Sequence, residues 1–120
     1  MPFHRHAPGV FFPATLDGGI EHKGKDLGMG CNLNIPLPAQ CKDDDFIELC
    51  AHALNCLQDV YKPQAIVLCV GADGLHNDPL ASEVDPGWRL TPYGISKASY
   101  ESKEMNNTLL HLMRLCYNIV

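Results

Sequence analysis

Basic side chains are scarce: nine Lys and Arg stand against fourteen Asp and Glu, giving a formal net charge of −5 at pH 7. Surfaces that grip phosphates usually cluster cations on one face, so this balance argues against direct nucleic-acid binding and suits a basic peptide such as a lysine-rich tail. No apolar run approaches the roughly 20 residues needed to cross a bilayer. The polar start, with Pro2, His4, Arg5 and His6, has no long apolar stretch behind it of the kind that marks a secretory leader. The chain is therefore expected to be neither membrane-embedded nor secreted. Six cysteines, at 31, 41, 50, 56, 69 and 116, include no C-x-x-C pair and no metal-knuckle spacing. Cys50, Cys56 and Cys69 fall on apolar faces, where free cysteine behaves as a small hydrophobe, so they read as reduced core residues of an intracellular protein.

What the chain does have is 120 residues that are 46% hydrophobic, enough for one small domain. Six consecutive apolar residues, 65–70, are too few for an ordinary helix and rich in β-branched side chains, which predicts a central parallel strand buried on both faces. Before it, Phe46, Leu49, Cys50, Ala53, Leu54, Leu57, Val60 and Tyr61 recur at three- and four-residue steps, so a helix with one apolar face is predicted over 43–61. Asp43, Asp44 and Asp45 would supply its N-cap and first-turn negative charge, and Pro63 would end it. Helix, proline and strand make one αβ step of a parallel sheet, hence an α/β class. A short strand is predicted near the start. Another is predicted over 30–37, where Cys31, Leu33 and Ile35 alternate with Asn32 and Asn34 and Pro36 confines the strand to an edge or an end. The Gly- and Pro-punctuated stretch between them is a long loop with Phe11-Phe12-Pro13 as its apolar anchor. Thr91-Pro92 reads as an N-cap followed by proline at the first helical position. Met105, Leu109, Leu112, Met113 and Cys116 then suggest a further helical stripe.

The chemistry-bearing candidate is Asp73, placed just where the 65–70 strand ends and a polar loop begins. Ligands collect outside the carboxyl ends of strands in open parallel sheets, although an acid there is more often a loop-former or helix cap. His4 and His6 would share one face of a strand and could be read as a metal pair; a polar strand exit is the stronger reading. His76 reads as loop surface, Asn34 and Asp78 as structural, and the three consecutive aspartates point in different directions from a helix and do not form an acidic metal cluster.

The string Gly71-Ala72-Asp73-Gly74-Leu75, continued by Asp78-Pro79-Leu80, resembles the Gly-Ala-Asp segment of the zinc-dependent histone deacetylases. Three further segments agree with that family in order: His4-Arg5 with Phe11-Phe12-Pro13, Asn34-Ile35-Pro36-Leu37, and Leu90-Thr91-Pro92-Tyr93-Gly94. The resemblance covers about residues 3–100; 101–120 diverge, and the loop before Phe11-Phe12 is one residue longer than its usual form. It implies a partial parallel-sheet sandwich of the arginase/deacetylase type, with residues 1–120 a slice of a catalytic domain roughly three times longer. It also implies Zn2+ as cofactor, held by Asp73 and by an Asp-x-His pair that would precede Met1. Phe12 and Leu80 would line the tunnel for the acetyl-lysine side chain. The resemblance further implies a His-His pair for general acid/base work and an oxyanion-stabilising tyrosine, neither matched within these residues, so no catalytic residue is assigned here.

The expected function is then that of a piece of a lysine deacetylase, acting in nucleus or cytoplasm on acetylated lysine peptides such as histone tails, with corepressor-type complexes as possible partners. The alternative is a truncated, catalytically dead interaction protein, and the divergent end from Glu101 is the feature that separates the two.

Overall fold

A computed structural model describes residues 1–11, 14–76, 78–79, 88–103 and 109–114, with 101–103 and 109–114 described through the backbone. The chain divides into two compact units, residues 1–40 and 41–120.

In the first unit, β1 (Phe3–Arg5) pairs in parallel with β2 (Ile35–Leu37), in the register Phe3↔Ile35, His4↔Pro36 and Arg5↔Leu37. The strand predicted over 30–37 is thus confined to its last three residues. Gly30 adopts a left-handed φ of 82°, and the Cys31 N–H closes a turn onto the Gly28 carbonyl at 3.0 Å, so the backbone there cannot run in a ladder. The asparagines tie the long loop instead. Asn34, 6% exposed, donates through Nδ2 to the carbonyls of Asp17 (3.1 Å) and Gly19 (3.0 Å), and Asn32 Nδ2 donates to the His22 carbonyl. A buried amide satisfied in this way is a structural residue. His4 adds another tie, its Nε2 lying 2.9 Å from the Gly18 carbonyl oxygen. A Cβ at Gly18 would lie 2.9 Å from both His4 Nε2 and His6 Nδ1, so only glycine lets the loop approach so closely. The His4–His6 pair therefore serves the loop, as the strand-exit reading expects. Arg5 stacks over the Phe11 ring at 5.2 Å, which anchors the loop's apolar end.

In the second unit, α1 (Asp43–Tyr61) forms over the predicted span and buries Cys50, Ala53 and Leu54. Lys62 closes it in a left-handed conformation (φ 51°, ψ 58°), its N–H returning to the Leu57 carbonyl, and Pro63 follows. The second helix, α2 (Pro92–Lys103), begins as its sequence predicts, the Thr91 hydroxyl accepting a hydrogen bond from the Gly94 N–H at 3.3 Å. The aspartate cap expected for α1 is corrected. The N-cap position is Lys42, with no side-chain cap bond, and the Asp43 carboxylate reaches across to Thr91. It accepts the Thr91 N–H at 2.8 Å and the Thr91 hydroxyl at 2.6 Å. A first-turn acid of one helix thus caps the start of the other, and α1 and α2 pack together. Gly94 has to be small, because a Cβ there would overlap the Asp43 carboxylate. Cys41, Leu90 and Ala98 complete this core.

Between the helices in sequence, β3 (Ala65–Val70) pairs in parallel with β4 (Leu109–Arg114), from Ala65↔Leu109 to Val70↔Arg114. Two expectations change here. The helical stripe predicted beyond residue 105 is a strand over 109–114, since a short apolar run cannot be assigned by period alone and β3 offers an edge to pair with. The burial of β3 on both faces is also overturned. Ile66, Leu68 and Val70 are half-buried, whereas Ala65, Val67 and Cys69 are exposed, Val67 at 59%. Among the described residues only one face of the strand gains cover. The elements make an α/β unit of helices and parallel strands. No helix among the described residues is long and apolar enough to cross a membrane.

The cysteine expectation holds for Cys50 and fails for Cys56 and Cys69, which are exposed; Cys41, not singled out by pattern, is buried. Burial, and secondarily the neighbouring Cys41, pushes the Cys50 thiol up from 9.0 to about 12. Cys41 is raised as well, by burial first and then by Asp45 and Asp43. In the unfolded chain Cys50 would lose its proton near 9.0, while the fold holds it to about 12. Its stabilising contribution is therefore complete below pH 9.0 and is lost as pH rises toward 12. The urea midpoint of the chain should fall across this window, and Cys50→Ala, though less stable, should show a shallower fall. Equal slopes for the two proteins would contradict the burial assignment.

Candidate functional site

The site is built where β3 stops. After Val70 the chain turns at once, the Leu75 N–H closing onto the Ala72 carbonyl at 2.9 Å and the Asp78 N–H onto the Leu75 carbonyl at 3.0 Å. A second segment holds this loop in place. Leu75 bridges Leu90 in parallel, and the His76 N–H donates to the Leu90 carbonyl at 2.9 Å. Leu90 is only 1% exposed, and the supporting segment is itself tied to the start of α1 by the Arg89 N–H donating to the Cys41 carbonyl at 2.9 Å. Trp88 lays its ring against Gly74, where a Cβ would meet a ring carbon at 2.9 Å. The residue after Asp73 must therefore be glycine for the ring and the turn to coexist.

Asp73 is exposed at this turn. Its carboxylate folds back over Gly71, into space that a side chain at position 71 would fill. The Gly-Ala-Asp-Gly string thus has a local physical meaning: the first glycine makes room for the carboxylate, and the last makes room for the indole that fixes the loop. Among the described residues no hydrogen bond or ion pair occupies the Asp73 oxygens, so both remain able to accept a ligand. An anionic oxygen at the carboxyl end of a parallel strand, on a backbone pinned by a buried leucine, is a suitable metal or cation ligand.

The other candidates are placed as follows. Phe12 and Leu80 lie outside the described residues. His76 is exposed on the loop, in keeping with its reading as surface, and His4 and His6 belong to the unit of residues 1–40. Among the described residues no three His, Cys, Asp or Glu side chains gather to hold a metal ion. A catalytic zinc site takes three protein ligands, so the described residues alone do not fit that ion. Trp88 is the site-supporting residue that sequence reasoning passed over, while Gly74 and Leu90 stand in the motif strings with no supporting role assigned to them. The available signal is the chain's one tryptophan two positions before a leucine, but nothing local says which loop it supports.

Comparison with known proteins places these features. The histone deacetylase domain family matches residues 1–115. Histone deacetylase 6 of Caenorhabditis elegans is 33% identical over 103 residues, 85% of this chain and 10% of the relative. Histone deacetylase 8 of Xenopus laevis is 34% identical over 97 residues, 81% of this chain and 27% of the relative. The crystal structure of an HDAC homolog complexed with SAHA superposes with a TM-score of 0.77 at 29% identity, covering 96% of this chain and 29% of that one. The chain thus spans between about a tenth and three tenths of the length of these proteins.

Proposed function

Since this chain belongs to the histone deacetylase family, with the α/β fold of its solved homolog, we propose that it is part of the catalytic domain of a zinc-dependent lysine deacetylase, to which it contributes one metal ligand, Asp73. The observation that carries the reading is the placement of Asp73, an exposed carboxylate over Gly71 at the carboxyl end of β3. Asp73, joined by ligands from outside residues 1–120, would hold the zinc ion, which would supply polarisation of an amide carbonyl. Phe12 and Leu80 line the passage for the aliphatic stem of acetyl-lysine, where an aromatic face and a branched apolar side chain suit a methylene chain. Residues 1–120 form one partial catalytic domain, divergent in wording after about residue 100. The peptides it serves carry acetylated lysine, histone tails among them, in nucleus or cytoplasm, and its acidic balance of −5 favours such basic partners.

The full-length protein containing this segment should release acetate from an acetyl-lysine peptide, lose that activity on chelation and regain it with zinc. Phe12→Ala and Leu80→Ala should raise KM by about tenfold or more, within the roughly 10–200-fold range of apolar-pocket changes, and leave zinc content unchanged. Turnover that survives exhaustive chelation would refute the zinc assignment. Loss of zinc in either tunnel variant would refute the substrate-lining role.

A further inference from the structure

Helix α1 carries an arrangement that the Asp73 loop does not use. His52 and Cys56 are one helical turn apart and both exposed, with Cys56 Sγ lying 3.7 Å from His52 Nε2. Side chains four residues apart on a helix share a face, so the sulfur and the imidazole nitrogen converge without any adjustment of the backbone. Their separation has a specific value. A tetrahedral zinc with a bond of ~2.3 Å to sulfur and ~2.05 Å to nitrogen holds those two atoms ~3.6 Å apart. The pair is already at the bite distance of such an ion, and the mixed thiolate–imidazole donor set favours a soft or borderline metal over magnesium or calcium.

We propose that His52 and Cys56 form a surface chelate for a thiophilic divalent cation of the zinc, cobalt or cadmium type, separate from Asp73 and independent of the deacetylase reading. On binding, the Cys56 S–H bond breaks, its proton passes to solvent, and the sulfur forms one metal bond. His52 gives its Nε2 lone pair and keeps its proton on Nδ1, and the metal stays divalent throughout. Two positions of the tetrahedron remain for water or for the exposed carboxylates of Glu48 and Asp59, four residues before His52 and three after Cys56 on the same helix. Those acids are not gathered with the pair as it stands, since no three metal-ligating side chains cluster among the described residues. The core of the site is bidentate and open to solvent.

Cobalt(II) is the probe, because its thiolate charge-transfer absorption appears only when sulfur is bound. Titration of the full 120-residue chain under reducing conditions should saturate this band at one equivalent. Cys56→Ser should abolish the band, and His52→Ala should weaken binding by at least the roughly tenfold that loss of even an outer-sphere partner costs a metal site. Asp73→Ala, Cys31→Ser and Cys69→Ser should leave the curve unchanged. Because both ligands are exposed, the variants should keep the far-ultraviolet circular dichroism of the parent, and the exchange of His52→Cys with Cys56→His should retain binding. A band that survives Cys56→Ser, ignores His52→Ala or vanishes with Asp73→Ala would overturn the proposal. Only that last result would bear on the Asp73 loop, so failure here leaves the deacetylase reading separately testable.

Discussion

Asp73→Ala in the full-length enzyme should remove zinc and lower kcat/KM by more than about 100-fold, beyond the roughly 10–100-fold effects of partners that do not touch the metal. Three protein ligands and one open position are the minimum for a catalytic zinc, so removing an anionic ligand weakens both the hold on the ion and its charge environment. The loop itself should survive. Asp73 is exposed, and the turn is kept by the Leu75-to-Ala72 hydrogen bond, the Leu90 bridge and the Trp88 ring, none of which uses the carboxylate. Zinc content by atomic absorption, acetate release and circular dichroism measured together check this. Normal zinc and normal turnover in the variant would show that Asp73 is a loop-former after all.

The second large effect is an absence of activity. Residues 1–120 made alone should release no acetate from an acetyl-lysine peptide at any zinc concentration, and Asp73→Ala should not change the metal they bind. A lone aspartate cannot hold a divalent ion against water, and the described residues bring no second and third ligand to it. The strand that leads to Asp73 is also incompletely covered, with Val67 at 59% exposure and β3 paired, among the described residues, to one neighbour, β4. Open, apolar strand edges recruit other chains, so the isolated polypeptide should self-associate at rising concentration. Turnover by the purified chain, abolished by Asp73→Ala, would mean that the site is complete within these residues.

Much of this fold is legible from local pattern. The apolar period of 43–61 and the run at 65–70 give α1 and β3 with their bounds, and Thr91-Pro92 gives the start of α2, because each signal is a property of neighbouring residues. The misreadings concern contacts between distant ones. Asp43 looks like the cap of its own helix and is the cap of another, 48 residues on. The run at 109–114 lacks a period to distinguish strand from helix, and only the free edge of β3 decides it. Cys56 and Cys69 look like core residues because their neighbours are apolar, yet whether a face is covered depends on what packs there. At the candidate site, the carboxylate and its glycines are readable as a string, whereas the support from Trp88 and Leu90 is not, since it comes from a segment further along the chain.

Both strand pairs are parallel, joining position 3 to 35 and position 65 to 109. Neither can begin as a hairpin, in which a tight turn brings the first partners together almost at once. Each pair forms only after a long stretch of chain has been gathered in, so the entropy of closure is lost before any ladder hydrogen bond is gained. During synthesis, β3 leaves the ribosome well ahead of β4, with the Asp73 loop at its end and the edge that β4 covers still bare. Until residues 109–114 arrive, the helices α1 and α2 have local reasons to be ordered and β3 has none. The Asp73 loop is therefore among the last features of this segment to take shape, and its assembly depends on how long that bare strand can stay out of reach of other chains.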